Sequence, residues 1–240
     1  FVNFASLHVH DQYSLLDSVA KTEDLVIRAK ELGLTGLAIT NHGNLFSHVK
    51  FYHLCALHGV RPVIGVEAYL CKNHLEKDPH RTHLTLLAIN DIGYKNLLKL
   101  VSISYMKGFY YHPRMDWNLL EQYSEGLICL SGCLSSELAK EIKENNQAKI
   151  RHWIERAQQV FPQRLYLEWT PVQYIDTQSH LEAILLLSKQ YKIPMVITSD
   201  VHYIKPEDYK LREVVWAIQD KKDLSHPNRR TDIVQEYYLM

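Results

Sequence analysis

Two segments near opposite ends of the chain carry metal-type ligands at alternate positions, His8-Val9-His10 and Asp200-Val201-His202. Side chains two apart on a strand point to the same face. Each segment, read as a strand, therefore turns two ligands one way. A fold that brings the first and last strands side by side gathers four ligands without help from loops. This recurrence limits the chain to architectures in which its two ends meet, and it points to divalent metal ions.

Bulk properties narrow the class. At 240 residues, with 46% hydrophobic and 22% charged residues, the chain has the make-up of an ordinary globular protein. Lys plus Arg and Asp plus Glu both number 27, so the net charge is zero with neutral histidines. A protein that grips duplex nucleic acid by phosphate neutralisation alone is usually basic, so any DNA contact here is expected to be local, transient or shared with another domain. No apolar run approaches the ~20 residues of a bilayer span, which predicts no membrane partner. The four cysteines form no Cys-x-x-Cys pair and nothing resembles a secretory signal, so a reducing cytoplasm is expected.

Short apolar runs alternate with segments of helical period. The runs are 6–10, 37–42, 63–70, 83–90, 127–132, 165–169 and 195–202. Helices are predicted over 22–32, 90–105, 135–143, 147–161, 176–191 and 206–219, and over the segment holding His48, His53 and His58. In the first, Thr22 is placed as the cap, Leu25, Val26, Ala29 and Leu32 as the apolar stripe, and Gly33 as the stop. Seven strands alternating with helices predict parallel βα units in a distorted (βα)7 TIM-like α/β barrel, with catalytic residues at the C-terminal rim. The polar loop 71–81 and the aromatic-rich stretch 107–118 read as surface excursions, and His74 and His80 as surface residues. A single domain over residues 1–240 is expected.

Most candidate ligands fall at strand ends: His8, His10, His42, Glu67, His83, Cys133, Asp200 and His202, with Asp17 in a loop after the first run. Imidazole, carboxylate and thiolate together suit zinc, with manganese or iron as alternatives. Glu67 in an apolar strand is costly unless it meets a cation. Cys133 alone reads as a small buried hydrophobe, and Asp17 alone as a turn residue. The rings of Phe109, Tyr110 and Tyr111, followed by Arg114, suit stacking on unpaired bases and touching a phosphate; anchoring of a loop by its rings is the plainer alternative. Arg229-Arg230 reads as a solvated pair or as a contact with a neighbouring domain of a longer chain.

The ordered set resembles the PHP (polymerase and histidinol phosphatase) superfamily: His8-x-His10, Asp17, Asn41-His42-Gly43-Asn44-Leu45-Phe46, Gly65-x-Glu67, His83, Ser131-Gly132-Cys133 and Asp200-x-His202. Gly93-Tyr94-x-Asn96-Leu97, Gly108-Phe109-Tyr110-Tyr111 and Glu236-Tyr237-Tyr238-Leu239 are similar to the PHP domain at the amino terminus of bacterial DNA polymerase III alpha subunits. The resemblance implies up to three divalent ions: one on His8, His10, Glu67 and Asp200, a second on His83 and Cys133 bridged by Glu67, and a third on Asp17, His42 and His202. Three such ions against four anionic ligands leave a site of net charge about +2, suited to a phosphate ester.

The resemblance further implies phosphoesterase or 3′–5′ exonuclease activity in replication, working through His8, His10, Glu67 and Asp200 on a single-stranded DNA 3′ end. Its partners would be the rest of a longer replicative polymerase chain, lying after residue 240, and a proofreading exonuclease subunit. No cluster of carboxylates for nucleotidyl transfer stands apart from the ligand set. Two rival readings are a metal-stabilised structural module and a histidinol-phosphate-type phosphatase. One departure stands out: the family usually has Asp where this chain has Asn41. An Asp behind a ligand imidazole raises its basicity, so Asn41→Asp is expected to tighten metal binding.

Overall fold

The computed structural model describes residues 4–172, 177–232 and 235–240. Seven strands form a curled sheet: β1 (Ala5–Ser6), β2 (Gly36–Ile39), β3 (Arg61–Leu70), β4 (Thr82–Ala88), β7 (Leu127–Leu130), β8 (Leu165–Trp169) and β9 (Met195–Ile197), hydrogen-bonded in that order. Two short strands, β5 (Phe109–Tyr110) and β6 (His112–Met115), make a hairpin whose second strand pairs with the end of β3. Beyond β1 the chain stays extended, and Val9 forms a parallel bridge with Val201. There His10 N donates to Val201 O at 2.8 Å and Val201 N to His8 O at 3.0 Å. Thr40 N donates to Val9 O from the other side at 2.8 Å. The first segment thus lies between the second and the last, and the sheet returns on itself as a distorted barrel. β2 is buried on both faces, as a strand in a covered parallel sheet must be.

The helices are α1 (Thr22–Glu31), α2 (His48–His58), α3 (Asp91–Met106), α4 (Trp117–Tyr123), α5 (Glu137–Lys143), α6 (Gln147–Val160), α7 (Thr177–Tyr191) and α8 (Tyr209–Asp220). Side-chain caps start several of them: Asn90 accepts from Gly93 N, Asp116 from Leu119 N and Ser136 from Ala139 N. Apolar side chains of β3, β4, β7 and β8 pack against α3, α4, α6 and α7 in the larger core. A second core joins Val9 and Val201 to α1 and α2 through Leu25, Val26, Ala29, Phe51 and Cys55. Among the described residues no helix is long and apolar enough to cross a membrane.

Several expectations need correction. The sheet is not all parallel: β4 runs antiparallel to both β3 and β7. A parallel return requires a crossover, usually a helix, and between β3 and β4 there is only the loop 71–81. Thr22 does not cap α1; its hydroxyl donates to Asp11 Oδ2 at 2.8 Å, and Lys21 holds the cap position. Gly33 does stop that helix, at φ 71°. Stretch 107–118 is not a mere excursion but supplies β5, β6 and the start of α4. His74 is buried, with Nδ1 2.7 Å from Asp116 Oδ2. Asp176, the expected start of α7, lies outside the described residues.

Candidate metal centre

The ends of the strands bring all nine candidate ligands into one cluster. Val9 turns into the second core, so its neighbours His8 and His10 both turn into the barrel mouth, fully buried. Glu67 arrives on β3 two residues after Gly65. A Cβ at Gly65 would sit 2.6 Å from Leu86 O, so only glycine lets β3 approach β4 this closely. The alternation expected at 200–202 is interrupted: β9 ends at Ile197, and Asp200 takes a left-handed φ of 47°, which aspartate tolerates better than most residues. Gly132, at φ 86°, turns the chain so that Cys133 faces Glu67, with Sγ 3.7 Å from Oε1.

Glu67 and Asp200 are the shared centres. His8 Nε2 lies 3.4 Å from Glu67 Oε1 and 3.4 Å from Asp200 Oδ1; His10 Nε2 lies 3.5 Å from Glu67 Oε2 and 3.4 Å from Asp200 Oδ1. His42 Nδ1 and His83 Nδ1 approach Glu67 at 2.6 and 3.0 Å. Asp17 Oδ2 stands 2.9 Å from His42 Nε2 and 3.0 Å from His202 Nε2.

Six of these atoms fit an ion better than they fit each other. His8 Nε2, His10 Nε2, His42 Nδ1, His83 Nδ1, Glu67 Oε2 and Asp200 Oδ1 are buried without a hydrogen-bond partner. Leaving such a group unpaired costs about 1–3 kcal/mol; ion pairs among the six, such as His42 Nδ1 to Glu67 at 2.6 Å, offset part of that cost, and a cation between them would offset more. Tetrahedral bonds of ~2.0–2.2 Å set ligand atoms about 3.3–3.6 Å apart, which matches the distances of His8 Nε2 and His10 Nε2 from Asp200 Oδ1 and from the nearer Glu67 oxygen. Among the described residues, three groupings have ligand atoms mutually within 4.8 Å: His8–His10–Asp200, His10–His42–His202 and His42–Glu67–His83. The donor set is compatible with divalent metal ions.

The local charges show what an ion must displace. Burial opposes charge on Glu67, but His83, His42 and His8 outweigh it and hold the carboxyl well below its usual range. Asp200 is likewise held down by His8 and His202 against its burial. Burial works against a charged His42, yet Glu67 and Asp17 push its pKa up to about 10. Burial, then Asp200 and Glu67, raise the Cys133 thiol well above its ordinary value, so its proton must leave before sulfur can ligate.

The comparisons with known proteins follow the same line. The sequence matches the PHP domain family over residues 6–171. The chain belongs to that family. It is similar to DNA polymerase III alpha subunits: 39% identical to that of Borreliella burgdorferi and 39% to that of Campylobacter jejuni, each over 98% of this chain, and 36% to that of Aquifex aeolicus over 92%. It spans only 20–21% of their length. Among solved structures, a candidate metal-dependent phosphoesterase from Bifidobacterium adolescentis superposes at TM-score 0.53 and 12% identity, covering 84% of this chain and 88% of that one. An amidohydrolase from Chromobacterium violaceum with bound sulfate and no metal superposes at 0.55 and 12%, covering 83% and 87%. At such identities the likeness shows the fold alone. Asp200 and His202 lie beyond the stretch that matches the PHP family.

Behind the candidate ligands stands a layer of residues that the sequence reading missed. His8 Nδ1 is 2.7 Å from Glu168 Oε1, which also accepts from Thr198 Oγ1 at 2.6 Å. His10 Nδ1 is 2.8 Å from Ser14 Oγ, whose proton goes to Asn41 Oδ1 at 2.8 Å. In both rings Nδ1–H is therefore the donor and Nε2 faces the cluster; burial opposes charge on His8, but Glu168, Asp200 and Glu67 outweigh it and raise its pKa, so its Nε2 proton must leave before that nitrogen can ligate. Asp17 Oδ1 accepts from Trp216 Nε1 at 2.7 Å and Arg212 Nη2 at 3.0 Å, which frees Oδ2 for His42 and His202. Glu168 had a signal, a carboxylate in the apolar run Leu165–Trp169. Arg212 and Trp216 had none, since nothing in their own helix marks what they touch.

Asn41 is not where the family comparison suggested. Its Nδ2 donates to Asp11 Oδ1 at 2.7 Å and to Ser47 Oγ at 3.1 Å, and it reaches His10 only through Ser14. An aspartate at 41 would face the Asp11 carboxylate across that first distance, which opposes the expected gain. Arg114 also needs correction as a DNA contact. It is 1% exposed, and its guanidinium donates to the carbonyls of Gly108, Asp78, His74 and Glu76, tying down the loop before β4. Of the two tyrosines expected beside it, Tyr111 is exposed and Tyr110 half-buried, their rings 4.7 Å apart.

Proposed function

We propose that this chain is the phosphodiester-hydrolysing part of a bacterial replicative polymerase alpha chain, a 3′–5′ exonuclease acting on a single-stranded DNA 3′ end in the cytoplasm. One observation carries the reading: six buried ligand atoms without other partners converge beneath an open mouth of about 200 Å³. Bound there, with zinc favoured over manganese or iron, divalent ions supply Lewis acidity toward phosphoryl oxygens and lower the pKa of a water. The chain's own residues do the rest. Glu168 and Ser14 fix the tautomers of His8 and His10, Glu67 is shared between groups of ligands, and Arg212 with Trp216 holds Asp17. The half-exposed Cys133 and the side chains of His42 and His83, 16% and 20% exposed, border the entrance. Other parts of the alpha chain and a proofreading subunit are the partners this reading gives it.

A second reading, a structural module held together by its ions, is favoured by the closure of the innermost ligands, since structural metal sites lack an open position. The two part on one experiment. Protein of measured metal content is incubated with a single-stranded oligonucleotide beside an Asp200→Asn control. Shortening from the 3′ end that the control lacks supports hydrolysis; full metal content with no shortening supports the structural role. A small phosphomonoester cleaved in preference to the oligonucleotide would favour the histidinol-phosphate type of activity.

A further inference from the structure

A second feature begins at the wall of the metal centre. Ser135 borders the metal mouth and also lines a neighbouring cavity of about 640 Å³ between α5 and α7. That wall is tied to a ligand, for His83 N donates to Ser135 O at 3.2 Å and His83 bridges to Ser136. The 640 Å³ cavity shares His80, Arg81, Thr82 and Lys140 with a third, of about 340 Å³, along α5 and α6. The three hollows are thus neighbours that share their walls. In a chain of zero net charge, this route is locally cationic.

Arg81, Lys140 and Lys72 line it, are exposed, and make no ion pair among the described residues. Arg81 has one long contact, to Pro79 O at 3.5 Å, and stacks 5.4 Å from the ring of Tyr69, itself 5.4 Å from that of His83. Farther along, Lys149 and Arg156 are already matched by Glu141 and Glu121, and Asp78 and Glu137 share the wall. Arg81 and Lys140, which line both cavities, therefore place unmatched positive charge where the two meet.

We propose that this route is the track of a single nucleic-acid strand whose end lies in the metal centre, with Arg81 and Lys140 each holding one backbone phosphate. The inference rests on the reading of the metal centre given above and names how its substrate lies. Cavities of ~300–1,000 Å³ are of the size that encloses small ligands, so they take the backbone of one strand and not a duplex. The test uses the metal-loaded 240-residue chain and a short, fluorescein-labelled phosphorothioate oligothymidylate, which resists hydrolysis. Binding is read by anisotropy across a salt series.

Arg81→Ala/Lys140→Ala is expected to weaken binding about tenfold at low salt and to flatten the log–log salt slope by about 1.4, at ~0.7 per lost contact. Arg81→Lys/Lys140→Arg should restore most of the loss. The inference falls if affinity and slope are unchanged, or if the oligonucleotide does not bind the parent protein. It also falls if Lys30→Ala/Lys50→Ala on α1 and α2 weakens binding equally, or if polyglutamate of equal charge competes as well as the oligonucleotide. Hydrolysis of bis(4-nitrophenyl) phosphate by the parent protein tests the metal centre separately, so failure of one arm does not mask the other.

Discussion

The candidate metal cluster has two halves, both built from imidazoles and carboxylates with Cys133 added to the outer one, set at different depths. His8, His10 and Glu67 are at most 1% exposed and Asp200 is 9% exposed; all four sit where strands meet. Asp17, His42, His83 and Cys133 stand on loops or at strand ends, and the side chains of the first three are 16–24% exposed. Only His202 of the outer group is well buried. Burial decides what each half can do. If ions bind, ligands with no room beside them would close their coordination, whereas ligands at an open edge would leave a position for substrate. The inner half should therefore govern stability, and the outer half turnover.

The comparison is tested hardest by removing ions. Where free ion stood ~1,000-fold above its Kd, chelation removes about 4 kcal/mol, which for a chain of this size lowers Tm by ~8–16 °C. His8→Ala should reproduce much of that loss even with metal supplied. Scanning calorimetry checks both, and a chelated protein melting within about 2 °C of the loaded one breaks the division outright. His83→Ala makes the opposite claim for the outer half. Hydrolysis should drop by more than the ~10–100-fold typical of losing a residue behind a ligand, with a smaller Tm change than His8→Ala. Equal destabilisation by the two variants would erase the distinction.

Subtler changes sharpen it. Glu168→Gln leaves His8 in place but replaces its charged partner, so zinc affinity at the inner half should fall ~10–100-fold in a competition titration with a chromophoric chelator. Asn41→Asp sets two carboxylates face to face. It should destabilise the protein by about 1–3 kcal/mol in urea unfolding, and a variant with tighter zinc binding and unchanged stability would refute that. Asp116→Asn lies away from both halves and should cost about 1 kcal/mol at neutral pH without changing metal content. Burial pushes the Asp116 carboxyl up, but His74 and the backbone N–H groups of His74 and Leu119 outweigh it and hold its pKa below the usual value. A depressed carboxyl stabilises above its unfolded pKa of ~3.9, and that gain is lost as pH falls through the folded value. The stability curves of parent and variant should therefore converge below about pH 4.

How much of this was legible depended on whether a rule is local. Strand alternation was enough to pair His8 with His10, because one bridging residue, Val9, settles which way both turn. The cost of burying a lone carboxylate marked Glu67, and the same argument applied to Leu165–Trp169 would have found Glu168. The antiparallel β4 also had a signal, since the loop 71–81 has no helical period to cross the sheet. Arg114 was misread because the carbonyls that surround it come from residues 74–78 and 108, which only the folded loop assembles. Thr22 looked like a cap by residue type, but a nearer acceptor on Asp11 claims its hydroxyl. Ser14 and Arg212 join the site through contacts across the fold that no spacing along the chain encodes.

The bridge between Val9 and Val201 carries a consequence for biosynthesis. A ribosome moving at ~5–20 residues per second needs about 10–40 s to progress from His8 to His202. Throughout that interval the first two imidazoles are exposed and have neither of the late ligands. An ion that settled on them early would be held by half a coordination shell and would exchange with the surrounding solution. Selection of a metal would thus fall to the moment of ring closure, so the ions present once the residues around His202 have emerged, more than those present before, would set which ion the closed cluster takes.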